Sequence, residues 1–192
     1  MNHPASPAAS RRSATSRPST AEALLDGVQR LAALIPESLI ALLARFSIAA
    51  VFWKSGQTKV EGFAIDIVSG TFVLGVPRLS DTAVMLFREE YALPWIEPEV
   101  AATLAALGEH ALPILILLGL GTRLAALGLL VMTAVIQFLV YPGAYPIHGV
   151  WAAVLLWLTA RGPGGWSVDA WLARRICARA SARRAAGEGV AP

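Results

Sequence analysis

Charged residues are scarce in this chain. Aspartate, glutamate, lysine and arginine make up 15% of its 192 residues, against roughly 25% in ordinary soluble domains. Cysteine occurs once, as Cys177, which excludes an internal disulfide, a Cys-x-x-Cys redox pair and a cysteine zinc site. The first twenty residues lack an apolar h-region, so no cleavable signal peptide is expected. Their Ser, Pro, Ala and Arg content reads as a disordered tail over 1–19. No hydrolase triad, phosphate-binding glycine loop or metal-ligand cluster stands out. The net charge is only +3, and the basic residues flank apolar segments instead of lining a soluble face, which argues against nucleic acid.

Apolar residues are abundant. They make up 56% of the chain, and the mean hydropathy is +0.59. Leu124 to Tyr141 reads LAALGLLVMTAVIQFLVY, with Gln137 as its one amide and no formal charge. At helical rise it spans roughly 27 Å, close to the hydrocarbon thickness of a bilayer. Further apolar segments at about 37–58, 99–119 and 146–161 predict four membrane helices, the last being the weakest. The fold expected is all-α: an integral membrane four-helix bundle with an amphipathic N-terminal helix and a partly structured extracytoplasmic segment between the first two membrane helices. The N-terminal helix, over 20–35, starts at a Ser19–Glu22 capping-box pattern and is read as lying on the membrane surface. Residues 20–172 form the membrane domain, and 173–192 a basic cytoplasmic tail.

Topology follows from Lys and Arg in the flanks. With both termini cytoplasmic, the inner side holds eleven: Arg11, Arg12, Arg17, Arg30, Arg123, Arg161, Arg174, Arg175, Arg179, Arg183 and Arg184. The outer side holds three, Lys59, Arg78 and Arg88. That bias requires an even number of crossings; the location expected is a bacterial inner membrane. Residues 60–98 are then extracytoplasmic. Within them FAIDIV-SG-TFVLGV reads as a β-hairpin on a Ser-Gly turn, and Ser80 as the cap of a helix through Tyr91. This segment is read as a lid over the outer mouth of the bundle.

Charged groups at bilayer depth demand explanation. Ser38, Arg45, Phe52, Gly56 and Lys59 share one face of the first membrane helix. Glu109 shares its face of the second with Ala102, Ala105, Ala106 and Pro113. Counted from the inner helix ends, Arg45 and Glu109 lie at depths that agree within roughly 5 Å, which predicts an Arg45–Glu109 pair. One reading makes this pair an orienting contact. The other makes it a polar pocket for a proton, an ion or the head group of a small molecule. The candidate intramembrane site comprises Arg45, Glu109, His110, Gln137 and His148. Two histidines in a four-helix bundle suggest haem, but a depth mismatch of roughly 10 Å between His110 and His148 argues against it. Gln137 and Thr133 form a polar stripe suited to interhelical hydrogen bonds. Ser167 and Asp169 are expected to cap a short helix, and the C-terminal arginines to anchor on anionic lipid.

Several segments are familiar in order. RFSIAAVFWKSGQTKVEGF (45–63), LFREEYALP (86–94), the Gly-Thr-Arg junction within 107–142 and GPGGWSVDAWL (162–172) resemble the DoxX family of small four-helix membrane proteins. The resemblance covers roughly 40–172. It implies a four-helix membrane fold, and in some members association with quinone-linked or other redox enzymes. The functional expectation is an accessory membrane subunit of a redox or stress-response system, not an enzyme on its own. No cofactor is read from the residues; quinone is the one the resemblance brings forward. Partners would be the bilayer, a redox protein or a second copy of the chain. The alternatives are a small-solute or proton transporter using Arg45 and Glu109, and an oxidoreductase subunit whose cofactor a partner supplies.

Overall fold

A computed structural model describes residues 19–188, with side chains to Ser181. Residues 1–18 of the tail expected over 1–19, and the side chains of Arg183 and Arg184, lie outside the described residues.

The chain divides at Pro36 into two units. In the first, α1 (Thr20–Ala32) opens on the expected capping box. Ser19 N donates to Glu22 Oε2 at 2.6 Å, and Glu22 N donates to Ser19 Oγ at 3.3 Å. The two bonds satisfy amides that the first helical turn leaves without partners. Leu24, Leu25, Val28 and Leu31 on this helix are all exposed.

The second unit holds four helices long and apolar enough to cross a membrane. They are α2 (Glu37–Gln57), α4 (Pro98–Leu118), α5 (Thr122–Val135) and α6 (Tyr145–Arg161). A π-helical turn, Ile136–Val140, lengthens α5. A 3₁₀ turn over Pro142–Ala144 leads into α6, so this stretch reaches 20 residues, more than its apolar run indicates. Helix α2 packs on α4 and α6, and α5 packs on α4 and α6, closing a ring. Its core is Ile48, Ala49 and Phe52 of α2, Ile116 of α4, Ala125, Ala126 and Leu129 of α5, and Leu155 and Leu158 of α6. Leu43, Leu107, Leu124 and Phe138 stand outside, each more than 60% exposed. In water so many bare leucines and phenylalanines would aggregate; in hydrocarbon they carry no penalty.

Between α2 and α4 lies the hairpin of β1 (Val60–Asp66) and β2 (Thr71–Leu79), paired antiparallel. The turn is longer than the Ser-Gly dipeptide expected, because Ile67 and Val68 belong to it. Asp66 Oδ1 takes the amides of Val68 (2.9 Å) and Ser69 (3.2 Å), which stops the strand at Asp66. Next, α3 (Asp81–Leu86) starts at Ser80, whose Oγ accepts from Ala83 N, and it runs into a second π-helical turn, Phe87–Tyr91. Phe87 is buried against Ala101 and Ala102, so this segment sits on the start of α4.

Beyond α6, helix α7 spans Val168–Glu188 and is longer than the short helix expected. Ser167 caps it, its Oγ accepting from Ala170 N at 3.2 Å. Asp169 does not cap α7. Its carboxylate accepts from Gly121 N (3.0 Å) and Thr122 N (3.3 Å) instead, closing the start of α5. Arg175 lies over the Trp171 ring, 5.0 Å from its centroid.

Candidate functional site

The membrane-level polar residues fall into three groups. At the hairpin end, Glu109 of α4 is 2% exposed and Lys59, just beyond α2, is 4% exposed. Lys59 Nζ lies 2.7 Å from Glu109 Oε2. Ser55 Oγ donates to Glu109 Oε1 at 3.1 Å and lies 3.1 Å from Lys59 Nζ. The backbones come close because α2 carries Gly56 here. A Cβ on Gly56 would lie 2.9 Å from the His110 ring and 3.1 Å from Glu109 Cβ.

His110 joins the same end. Its Nδ1 lies 2.7 Å from Ala106 O, and its Nε2 lies 2.8 Å from Gln57 Nε2. Gln57 Oε1 accepts from Ile65 N at 2.7 Å, and Trp53 Nε1 donates to Ile65 O at 3.0 Å. Two residues of α2 thus hold the first strand of the hairpin. Trp53 stands edge-on to His110, with centroids 5.2 Å apart.

Arg45 belongs to the opposite end of the bundle, and the expected Arg45–Glu109 pair does not form. The guanidinium is 1% exposed; Nη1 donates to Leu117 O (3.1 Å) and Nη2 to Trp166 O (2.5 Å). The physical reason is the stagger of the helices. Helices α2 and α4 are antiparallel, since Gly56 meets Glu109 while Arg45 meets Leu117. Glu109 is therefore level with Gly56, eleven residues or roughly 16 Å along α2 from Arg45. The Cα–Cβ tilt toward each helix N-terminus carries the two side chains further apart. Arg45 finds the Leu117 carbonyl in the last turn of α4, which lacks a helical partner and lies at the negative end of the helix dipole.

The third group lies between α5 and α6. His148 is 6% exposed, and its Nδ1 lies 2.8 Å from Gln137 Oε1. Gln137 Nε2 donates to Pro142 O at 2.7 Å, which fixes the amide with its oxygen toward the histidine. His148 therefore donates from Nδ1, and the neutral ring has its lone pair on Nε2. A cavity of about 390 Å³ adjoins these groups; Leu130, Thr133, Phe138, Tyr145 and Ala152 line it with them. Thr133 does not join the interhelical bond expected of it, because its hydroxyl donates to Leu129 O of its own helix at 2.8 Å.

The histidines are not brought together. His110 faces α2 and the hairpin, with both ring nitrogens engaged. His148 faces Gln137. The structure thus splits the five sequence candidates: Glu109 with His110, Gln137 with His148, and Arg45 apart.

Two features carry no sequence sign of their own. The π turn Ile136–Val140 sets Gln137 toward His148. Tyr141, at its end, donates to Glu90 and packs against Tyr91, with centroids 5.8 Å apart. The Tyr141 hydroxyl is pushed well above the ordinary phenol range, first by its bond to the Glu90 carboxylate and then by burial. Tyr91 is also raised, by burial first and then by the nearby charges of Glu109 and Glu90. Lys59, by contrast, could have been found: it shares the Arg45 face of α2.

Comparison with curated proteins and with solved structures gives no match. A family match does exist, over residues 40–142, from the start of α2 to the end of α5. It covers more than half of the 192 residues, and with the four membrane-length helices it makes the chain a multi-pass membrane protein that belongs to the DoxX family.

Proposed function

We propose that this protein is a non-catalytic membrane subunit of a redox or stress-response system, and that it holds a quinone head group in the cavity between α5 and α6. The observation that carries this reading is the His148–Gln137 pair beside a 390 Å³ apolar space. Small-molecule sites combine an apolar wall with a few fixed polar groups. The His148 Nε2 lone pair is suited to accept a quinol hydroxyl, while Phe138 and Leu130 offer flat and branched apolar surface to the ring. Electrons would come from a redox partner, since the chain has one cysteine, Cys177, and no dithiol. An oxidoreductase subunit with a partner-supplied cofactor is the same arrangement seen from the enzyme's side.

The transport reading relied on Arg45 and Glu109 sharing a polar site, and their separation removes its support. The eleven-to-three distribution of basic flanks favours an inner-membrane location with both termini cytoplasmic. The exposed apolar stripe of α1 suits a helix lying on that membrane.

The test is purification in mild detergent, followed by lipid extraction and oxidised-minus-reduced absorbance. Copurified quinone, lost in His148→Phe, supports the reading. Protein that neither retains quinone nor binds it when added to nanodiscs refutes it. Reporter fusions at the two termini should signal from the same side.

A further inference from the structure

The hydrogen bonds through His110 run in one direction. Ile65 N–H donates to Gln57 Oε1, so the Gln57 amide must turn its NH₂ toward His110 Nε2. Ala106 O can only accept, so the His110 proton sits on Nδ1. The chain is satisfied throughout, and it is satisfied only for a neutral imidazole.

A second proton has one place to go, Nε2, and there it meets the Gln57 NH₂. Rotating that amide would give the imidazolium an acceptor. It would also turn the NH₂ onto the Ile65 N–H, donor against donor. With the Gln57 amide in this place, neither of its two orientations keeps both the charged ring and the strand bonded. We propose that protonation of His110 releases the β-hairpin from α2, so that the hairpin end of the bundle is an acid-sensitive latch. This inference does not depend on the quinone reading.

The groups around the ring leave the decision to that chain of bonds. On α4 the neighbouring titratable group is Glu109, and at the end of α2 it is Lys59, and the two are ion-paired. From α2, Trp53 and Gly56 face the ring. From β1 it is Phe63, 6.3 Å between centroids, which carries no charge. Among the described residues, two side-chain hydrogen bonds tie α2 to β1: Gln57 to Ile65 N and Trp53 to Ile65 O. Loss of the first leaves the strand on a single bond.

The experiment measures hairpin position in the full chain in nanodiscs. Spin labels go on Val68→Cys at the hairpin tip and Leu107→Cys on the outer face of α4, both exposed positions, in a Cys177→Ser background. Between pH 8 and pH 5 the distance distribution should lose its single narrow peak and broaden. Gln57→Glu supplies a carboxylate that accepts from both the Ile65 amide and the imidazolium, so it should stay narrow at pH 5. His110→Gln takes up no proton there and should show one distribution at both pH values. An unchanged parent distribution across the range overturns the latch. So does broadening of either variant to the same extent as the parent.

Discussion

Lys59 and Glu109 form an ion pair at 2.7 Å that is withdrawn from its surroundings on both sides, beside the tight approach of α2 to α4 at Gly56. The two partners are not equivalent. Lys59 has a long, flexible stem just past the end of its helix, whereas Glu109 sits inside α4 on a short one. If the pair breaks, the ammonium can swing out to water and the carboxylate cannot.

Lys59→Met should therefore be the costly change, about 3 kcal/mol or more, because it strands a buried carboxylate. Glu109→Gln should cost nearer about 1 kcal/mol, since its amide still accepts from Ser55. The double variant Lys59→Met, Glu109→Leu should recover most of the loss. Thermal unfolding in detergent orders the three. Equal costs for the two single variants would show that the pair is not sealed off as described.

At the other end, Gly119 has φ of +71° and leaves no room for a side chain. A Cβ there would lie 2.4 Å from Arg45 Nη1 and 2.5 Å from Ser167 Cβ. Gly119→Ala should cost at least about 2 kcal/mol, combining the left-handed backbone penalty with displacement of the guanidinium. Arg45→Lys should mimic it in part, because one ammonium cannot reach both Leu117 O and Trp166 O. In each variant the segment after α6 should loosen, and trypsin should cut after Arg161 faster than in the parent.

These two ends also show how far the sequence could be read. The face shared by Ser38, Arg45, Phe52, Gly56 and Lys59 was legible from 3.6-residue spacing, and all but the half-buried Ser38 are buried. The partner of Arg45 was not. Counting from the inner helix ends assumes that those ends are level, whereas α4 ends at the level of Arg45, about two turns into α2. Lys59 looked like an outer flank because it follows the last turn of α2. Gln137 and His148 were both visible, but as residues of separate helices. A π turn and the Pro142–Ala144 turn fold the chain so that they meet, and neither leaves a periodic signal. Ser19 and Ser80 were readable as caps because capping is local chemistry.

The hairpin turn has its own pH dependence, separate from the histidine latch. The Ser69 and Val68 amides hold the Asp66 carboxyl below its ordinary value, with lesser help from Lys54. A carboxylate favoured by the fold stabilises it above the unfolded value, about 3.9, and that contribution is lost as pH falls through the lower folded value. The turn should therefore stay closed from pH 8 to pH 5 and open only below about pH 4. Asp66→Asn should reduce the acid dependence in that lower range alone. Amide exchange at Val68 and Ser69, corrected for intrinsic rates, reads it directly. Opening near pH 6 would contradict the assignment.

Tyr141 predicts the alkaline side. Its hydroxyl donates to Glu90, so the fold favours the neutral phenol and its ionisation is pushed up. Such a group stabilises below the unfolded value, about 10, and the contribution disappears as pH rises through the raised folded value. Tyr91 is raised as well, so two of the three tyrosines should ionise late in a titration followed by phenolate absorbance. Tyr141→Phe should remove one late step. Glu90→Gln should move that step earlier without removing it, since an amide oxygen still accepts but carries no charge. The contact joins the π turn ending α5 to the π turn following α3, so both variants should also raise amide exchange in residues 87–91 at neutral pH. Two late absorbance steps that both stay in place in Glu90→Gln would mean that the Tyr141–Glu90 bond is not formed in the membrane-embedded protein.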